Sequence, residues 1–272
     1  MKYVLFTGAT GGLGTLCVKE LSKTGQWTVF AAGNNQKTLH ELGNLNQVIP
    51  IQMDVTSQES VNCAYQKIST YTRGLDAIVN FAGVTGFISL IEGNSIETVE
   101  KNLDINLIGM VRVNRTFFEM VHCNKGRIIN CSSESGWMTP SPFAGPYVLS
   151  KYAVEGYNDS LRRELLYLDI PVIKIQPGAY DTKLTQNVST SCDNLAETSR
   201  YYKRLMKKMK PLLMLELQQK NNPAKLVKVV MKALTAPHPK LKYRVGTSKI
   251  LIFLELLTDR QTDCVFKLVF NH

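Results

Sequence analysis

Residues 3–21 read YVLFTGATGGLGTLCVKEL, and the reading of this stretch decides the fold. Tyr3 to Phe6 is an apolar run of the length of a short buried strand, and apolar residues return with helical spacing from Leu16 to Leu21. Between them lies TGATGGLG, with Gly8, Gly12 and Gly14. A strand, a glycine turn and a helix in that order let the backbone come close to a pyrophosphate, whose charge is attracted by the unpaired N–H groups of the helix N-terminus. A glycine-rich turn alone is a weak signal, but after a first strand and opening a helix it is strong. Thr10 and Leu13 lie within the turn and belong with its glycines to the nucleotide-binding set.

The rest of the chain repeats the alternation. A second strand, Trp27 to Ala32, should end at the residue that selects the nucleotide, where an acid serves a ribose 2′-hydroxyl and an arginine a 2′-phosphate. Gly33, Asn34 and Asn35 supply neither; Asn34 suits a 2′-hydroxyl and Lys37 a phosphate, so both cofactors stay open. A third strand, Val48 to Met53, runs into Asp54 and Val55, and a fourth, Ala77 to Val79, into Asn80, Phe81, Ala82 and Gly83. Ligands bind at that edge of an open parallel sheet, so Asp54 is expected at the adenine, with Asn80, Ala82 and Gly83 beside the cofactor. The other reading of Asp54 is a cap for the helix starting near Ser57. One long helix is expected from Ser95 to about His122; it carries Asn106, a poor helix-interior residue that needs a reason beyond propensity. Strands follow at Arg127 to Cys131, Val172 to Gln176 and Tyr243 to Gly246, with helices at Tyr147 to Leu168 and Pro223 to Leu234. The pattern is that of an α/β fold, a Rossmann-type doubly wound parallel sheet of about seven strands with helices on both faces.

The chemistry sits in residues 130–153, NCSSESGWMTPSPFAGPYVLSKYA. Ser133 follows a strand, prolines and glycine break the loop, and Pro146 suits the first turn of the next helix. Tyr147 and Lys151 fall four apart on one face of that helix, about 6 Å along its axis. A tyrosine with its ordinary pKa near 10 is a poor base at neutral pH, and a neighbouring ammonium favours its phenolate. Ser133 is placed to hydrogen-bond a substrate oxygen while charge develops. Pro177 and Gly178 turn the chain after the next strand, and Thr182 is a candidate partner for a carboxamide.

At 272 residues with 44% hydrophobic and 20% charged content, the chain is expected to form one domain, 1–272. No apolar run approaches the roughly 18 residues of a membrane span, and MKYVLF leads straight into the glycine turn, so a cytoplasmic protein without a signal peptide is expected. The six cysteines show neither CxxC spacing nor histidine partners, which fits reduced thiols and no metal. The net charge of +10 is concentrated in the last third without a nucleic-acid-binding motif, so a solvated basic face is expected, with membrane contact peripheral at most and no nucleic acid. Residues 184–222 mix basic and apolar positions and are expected to fold over the site as a substrate lid. In that lid Met206, Met209 and Met214 would line a pocket or pack in the core. A helical tail is expected at about 248–270.

Taken together, the sequence resembles the short-chain dehydrogenase/reductase family over nearly its whole length. The matching motifs are TGxxxGxG at Thr7, Gly8, Gly12 and Gly14, the turn Asn80, Ala82, Gly83, the helix residue Asn106, Ser133 with Tyr147 and Lys151, and Pro177–Gly178 with Thr182. SKYAVEGYNDSLRREL (150–165) and KALTAPHPKLKYRVG (232–246) are similar to the branch of retinol, hydroxysteroid and 3-hydroxybutyrate dehydrogenases. The resemblance implies reversible hydride transfer between a nicotinamide and an alcohol, without a metal. Tyr147 would be the general acid/base, Lys151 would bind the nicotinamide ribose, Ser133 would orient the substrate oxygen, and Asn106 would hold a water that relays protons to Lys151. It further implies an apolar small-molecule substrate, NAD or NADP with a lean to NAD, and a homodimer or homotetramer packed through helices 95–122 and 147–168. Phe81 replaces the commoner asparagine and is expected to point into the sheet. Ser135 is a rival to Ser133, and Asp181 stands where relatives often carry arginine. A small hydroxy acid as substrate, or a silent nicotinamide-sensing protein, are the competing functions.

Overall fold

The computed structural model describes residues 1–217 and 221–270, the side chains of 183–186, 216, 217 and 270 aside. Its elements alternate from the start: β1 (Lys2–Thr7), α1 (Gly12–Lys23), β2 (Trp27–Gly33), α2 (Gln36–Gly43), β3 (Val48–Gln52), α3 (Gln58–Ser69) and β4 (Ala77–Asn80). Then come α4 (Ser95–Leu103), α5 (Gly109–Thr116), α6 (Phe118–Cys123), β5 (Arg127–Cys131), α7 (Gly145–Leu165) and β6 (Val172–Pro177). The chain continues through α8 (Lys183–Thr198), α9 (Lys203–Leu217), α10 (Pro223–Thr235), β7 (Lys242–Val245), α11 (Lys249–Leu254) and α12 (Asp259–Phe270). All seven strands pair in parallel in the order β3-β2-β1-β4-β5-β6-β7.

Alternation along the strands divides the core in two, because successive strand side chains point to opposite faces. Val4, Phe6, Val29, Ala31, Val79, Ile129 and Ile175 face one cluster, closed by Val18 and Leu21 of α1 and by Leu226 and Val230 of α10. Leu5, Phe30, Ala32, Ile78, Ile128 and Val172 face the other, closed by Val61 and Ile68 of α3, by Val113 and by Leu165 of α7. Complete burial of each such side chain stabilises the fold by about 1.5–3 kcal/mol, so neither face of the sheet can be stripped of its helices. Phe81 packs on the first cluster and against Phe6, with ring centroids 5.3 Å apart, as its expected inward orientation requires.

The expected helix over 95–122 is not continuous. A single π-turn, Asp104–Ile108, separates α4 from α5, and Phe117 breaks the helix again before α6. The π-turn is centred on Asn106, which is fully buried and directs its amide out of the helix. The segment expected as a lid, 184–222, holds α8 and α9, apart from residues 218–220, which lie outside the described residues. The expected tail is α11 and α12, which pack through Leu251, Leu254, Val265 and Phe266 on Trp137 and Met138. All six cysteines are free thiols.

Candidate active site

The strand order reverses between β1 and β4, and the site lies at the carboxyl ends of these two strands, where a crevice opens in such a sheet. Gly8 has φ +67°, and a Cβ there would stand 2.5 Å from the backbone of Phe81 and Ala82. Only glycine fits a left-handed turn pressed so closely on the turn after β4. Gly14 is held as tightly, against the carbonyl of Gly8. Gly11 caps α1 without a side-chain hydrogen bond, so the first N–H groups of that helix face the crevice, the arrangement that suits a phosphate. At Gly12 a Cβ would meet only the Thr182 side chain, at 3.4 Å, which brings the turn after β6 over the glycine turn. The cradle therefore fits a dinucleotide.

At the end of β2, Thr10 fills the space a side chain at Gly33 would need, with its hydroxyl oxygen 2.6 Å from the Cβ position. Asn35 is committed to capping α2, accepting the Thr38 N–H at 3.0 Å, while Asn34 and Lys37 are exposed. The helix-cap reading of Asp54 does not hold: Ser57 caps α3, and Asp54 closes a local turn, its Oδ1 accepting from the Thr56 N–H at 2.9 Å and hydroxyl at 2.7 Å. Val55 is buried against Gly109. Asn80 directs its amide into the protein, donating to Asn114 Oδ1 at 2.7 Å and to Asn130 Oδ1 at 2.9 Å. Asn130 lies opposite it on β5 and donates to Asn158 of α7 at 3.1 Å, so a buried amide network joins sheet and helices under the site.

Asn106 holds the turn after β4. Its Oδ1 accepts the Val84 N–H at 2.8 Å, and its Nδ2 donates to the Val84 carbonyl and to Ser150 Oγ, both at 2.9 Å. Ser150 in turn donates to the Tyr147 carbonyl at 2.7 Å, which ties the π-turn to the first turn of α7. Lys151 is buried; its Nζ donates to the Cys131 carbonyl at 3.0 Å and lies 5.6 Å from the centre of the Tyr147 ring. Gly83 completes the group, since a Cβ there would lie 3.1 Å from Asn106 Oδ1 and 3.9 Å from Lys151 Nζ. Burial pushes the neighbouring Cys131 thiol up, against the pull of Lys151, which keeps it in the protonated form. Ser133 follows the end of β5 by two residues in an extended conformation, and its Oγ accepts the Ser135 N–H at 3.2 Å from the one-turn 3-10 helix Glu134–Gly136. Tyr147 and Lys151 thus share one helix face, Ser133 lies two residues beyond β5, and Asn106 braces both the turn after β4 and the first turn of α7.

Lys174 anchors α7 from below. It projects from β6 and bonds Glu155 at 2.6 Å and Asp159 at 2.9 Å, with Gln176 donating to Glu155 at 2.8 Å. Burial opposes the Lys174 charge, but the hydrogen bonds and attraction of both carboxylates outweigh it and hold the ammonium above its ordinary range. Phe87 and Phe143 pack with Val188, Leu195, Tyr202, Met206 and Met209 in a separate apolar cluster formed with the α8–α9 pair. Glu92 fastens its turn, accepting from the Ser199 hydroxyl at 2.7 Å and the Arg200 N–H at 2.8 Å. The Ser199 bond chiefly holds the Glu92 carboxyl below the usual range, against a smaller effect of burial. Asp181 is exposed. Sequence reading missed Ser150, Glu92 and Phe87, which carry no motif; the serine three residues after the tyrosine was the only signal among them.

Sequence and fold are both similar to those of known proteins. The profile of the short chain dehydrogenase family matches residues 2–193. Retinol dehydrogenase 16 of Mus musculus is 34% identical over 269 residues, covering 94% of this chain and 84% of that protein. The human 17-beta-hydroxysteroid dehydrogenase type 6 is 30% identical over 272 residues, with the same coverage of 94% and 84%. Among solved structures, a short-chain dehydrogenase from Streptomyces avermitilis superposes with a TM-score of 0.76 at 21% identity, covering 98% of this chain and 95% of its own.

Proposed function

The chain belongs to the short-chain dehydrogenase family, and from that premise we propose that it is an NAD(P)-dependent oxidoreductase interconverting an apolar alcohol and its carbonyl compound, of the steroid or retinoid kind. The observation that carries the reading is the convergence of Tyr147, Lys151, Asn106 and Gly83, with Lys151 Nζ 5.6 Å from the Tyr147 ring and the Asn106 amide bracing the turn beside it. When bound, the nicotinamide supplies or accepts the hydride.

The residues of the chain do the rest. Tyr147 gives a proton to the substrate oxygen in reduction and takes it in oxidation, with the Lys151 ammonium 5.6 Å from the centre of its ring. Ser133 donates a hydrogen bond to the same oxygen and fixes its position as charge moves on or off it. Lys151, steadied by the Cys131 carbonyl, also presents its charge to ribose hydroxyls, and Asn106 keeps the Val84 backbone in place beneath them. Gly8 to Gly14 and the open end of α1 hold the pyrophosphate, with Thr182 lying over them. With neither acid nor arginine at Gly33–Asn35, Asn34 is available to a free 2′-hydroxyl and Lys37 to a 2′-phosphate, so the reading takes NAD or NADP, with a lean to NAD. The apolar layer of Phe87, Phe143, Tyr202, Met206 and Met209 supports an apolar substrate, with α8 and α9 acting as its lid. The test is to follow reduced-nicotinamide absorbance while purified protein receives NAD or NADP with retinol, hydroxysteroids and 3-hydroxybutyrate. Turnover of retinol or a steroid supports the reading; turnover of 3-hydroxybutyrate alone moves it to a small hydroxy acid; cofactor binding without any turnover supports a sensor.

A further inference from the structure

The residue after the serine is a buried glutamate, and its surroundings give it a part in the chemistry. Resting on the oxidoreductase reading above, we propose that Glu134 is a positioning residue through which the C-terminal segment holds Ser133 in place.

Glu134 is 7% exposed, in the turn that directly follows the extended Ser133. A buried carboxylate is costly unless it is hydrogen-bonded, so its partners fix where it lies. Its Oε2 accepts the N–H of Ser248, the buried N-cap residue of α11, at 2.8 Å. The same oxygen lies 3.0 Å from where a Cβ on Gly178 would stand, and Gly178 is itself pressed on the Gly246 carbonyl. The carboxylate therefore sits where the chain leaves β5, β6 and β7.

The residues that follow are bound on two sides, by the C-terminal segment and by α7. Met138 is fully buried against Leu251 and Leu254, and Thr139 donates both its N–H and its hydroxyl to Glu255 Oε1. On the other side the Tyr152 hydroxyl of α7 donates to the Met138 carbonyl at 2.9 Å, and a Cβ on Gly136 would stand 2.8 Å from the Lys151 carbonyl. Residues 134–139 thus form a strap between the helix that carries Tyr147 and the C-terminal pair. Glu134 is the end of that strap nearest the reacting atoms. If its side chain lets go of Ser248, the peptide joining it to Ser133 turns, and the Ser133 hydroxyl turns with it.

The tie is a bond to an N–H, which an amide oxygen also makes, so charge removal and bond removal give different results. Glu134→Ala should lower kcat about 10- to 100-fold, the size of loss that a misplacement of about 1 Å produces, with KM and cofactor affinity within about twofold. Glu134→Gln should stay within about threefold of the parent. Ser248→Pro removes the donor at a residue whose φ of −61° suits proline, and with it the hydroxyl that accepts the Leu251 N–H, so it should lower kcat at least as far as Glu134→Ala. The double variant should be no slower than Ser248→Pro alone. Hydrogen exchange of the 131–138 segment gives a readout that needs no substrate: it should rise in Glu134→Ala and Ser248→Pro and not in Glu134→Gln. Unchanged kcat and exchange in Glu134→Ala, a loss confined to KM, or a Glu134→Gln variant as slow as Glu134→Ala overturns the proposal, while a parent protein that turns over leaves the oxidoreductase reading intact. If the parent turns over nothing, that reading falls and exchange alone decides the tie.

Discussion

Replacing Asn106 by alanine removes three hydrogen bonds of 2.8, 2.9 and 2.9 Å, two to the Val84 backbone and one to Ser150. At a net 0.5–1.5 kcal/mol each, their loss amounts to about 2–4 kcal/mol, since the fully buried position admits little water to replace them. With an unfolding entropy of about 2.1 cal/mol/K per residue, a chain of 272 residues should melt about 4–7 °C lower. The damage is also directed. Gly83 stands 3.1 Å from Asn106 Oδ1 through its missing Cβ, so the turn it belongs to loses its brace, and cofactor affinity should fall about tenfold, or about 1.4 kcal/mol. Asn106→Asp keeps the acceptor for the Val84 N–H but turns an oxygen towards the Val84 carbonyl, so it should not restore the parent melting point. Thermal melts with and without NAD, together with cofactor titration, read both effects. An Asn106→Ala variant melting within about 1 °C of the parent with unchanged affinity refutes the reasoning, because the π-turn would then serve no tie.

Other expectations follow from the same contacts. Lys174→Met leaves the Glu155 carboxylate, only 13% exposed, without its cation, and should cost about 3 kcal/mol, seen as a melting point about 5 °C lower; an unchanged melt speaks against α7 being anchored there. The Glu92 carboxyl is held below its unfolded value, so its contribution is complete above the ordinary carboxylate range and is lost as pH falls through the depressed one. Hydrogen exchange around Ser199 to Tyr202 should therefore accelerate in that acid window in the parent and show no such step in Glu92→Gln; a flat parent profile contradicts the latch. Lys37→Ala should weaken NADP binding several-fold and leave NAD unchanged, and equal losses for both cofactors would place Lys37 away from the 2′ position.

What the sequence discloses depends on how local the cause is. The glycine turn, the apolar strands and the four-residue spacing of Tyr147 and Lys151 are short-range patterns, and the structure places them as the pattern requires. Asn106 was legible as an anomaly, a poor helix former inside a helical run, but its π-turn was not, because the turn depends on Val84 and Ser150, 22 and 44 residues away. The alternative reading of Asp54 as a helix cap failed for a similar reason: Ser57 is as good a cap, and only the backbone decides between them. Glu134, Glu92 and Phe87 act on groups that come near only after folding, at Ser248, at Ser199 and at α8 and α9, so no spacing in the sequence could announce them.

The measurement that bears most directly on the central claim is single-turnover hydride transfer by Tyr147→Phe beside the parent, with cofactor affinity measured on both. Loss of the phenol alone should leave cofactor binding within about twofold and slow transfer by at least about a thousandfold, since only the proton-transfer group is gone. A Tyr147→Phe protein that turns over at close to the parent rate contradicts the account.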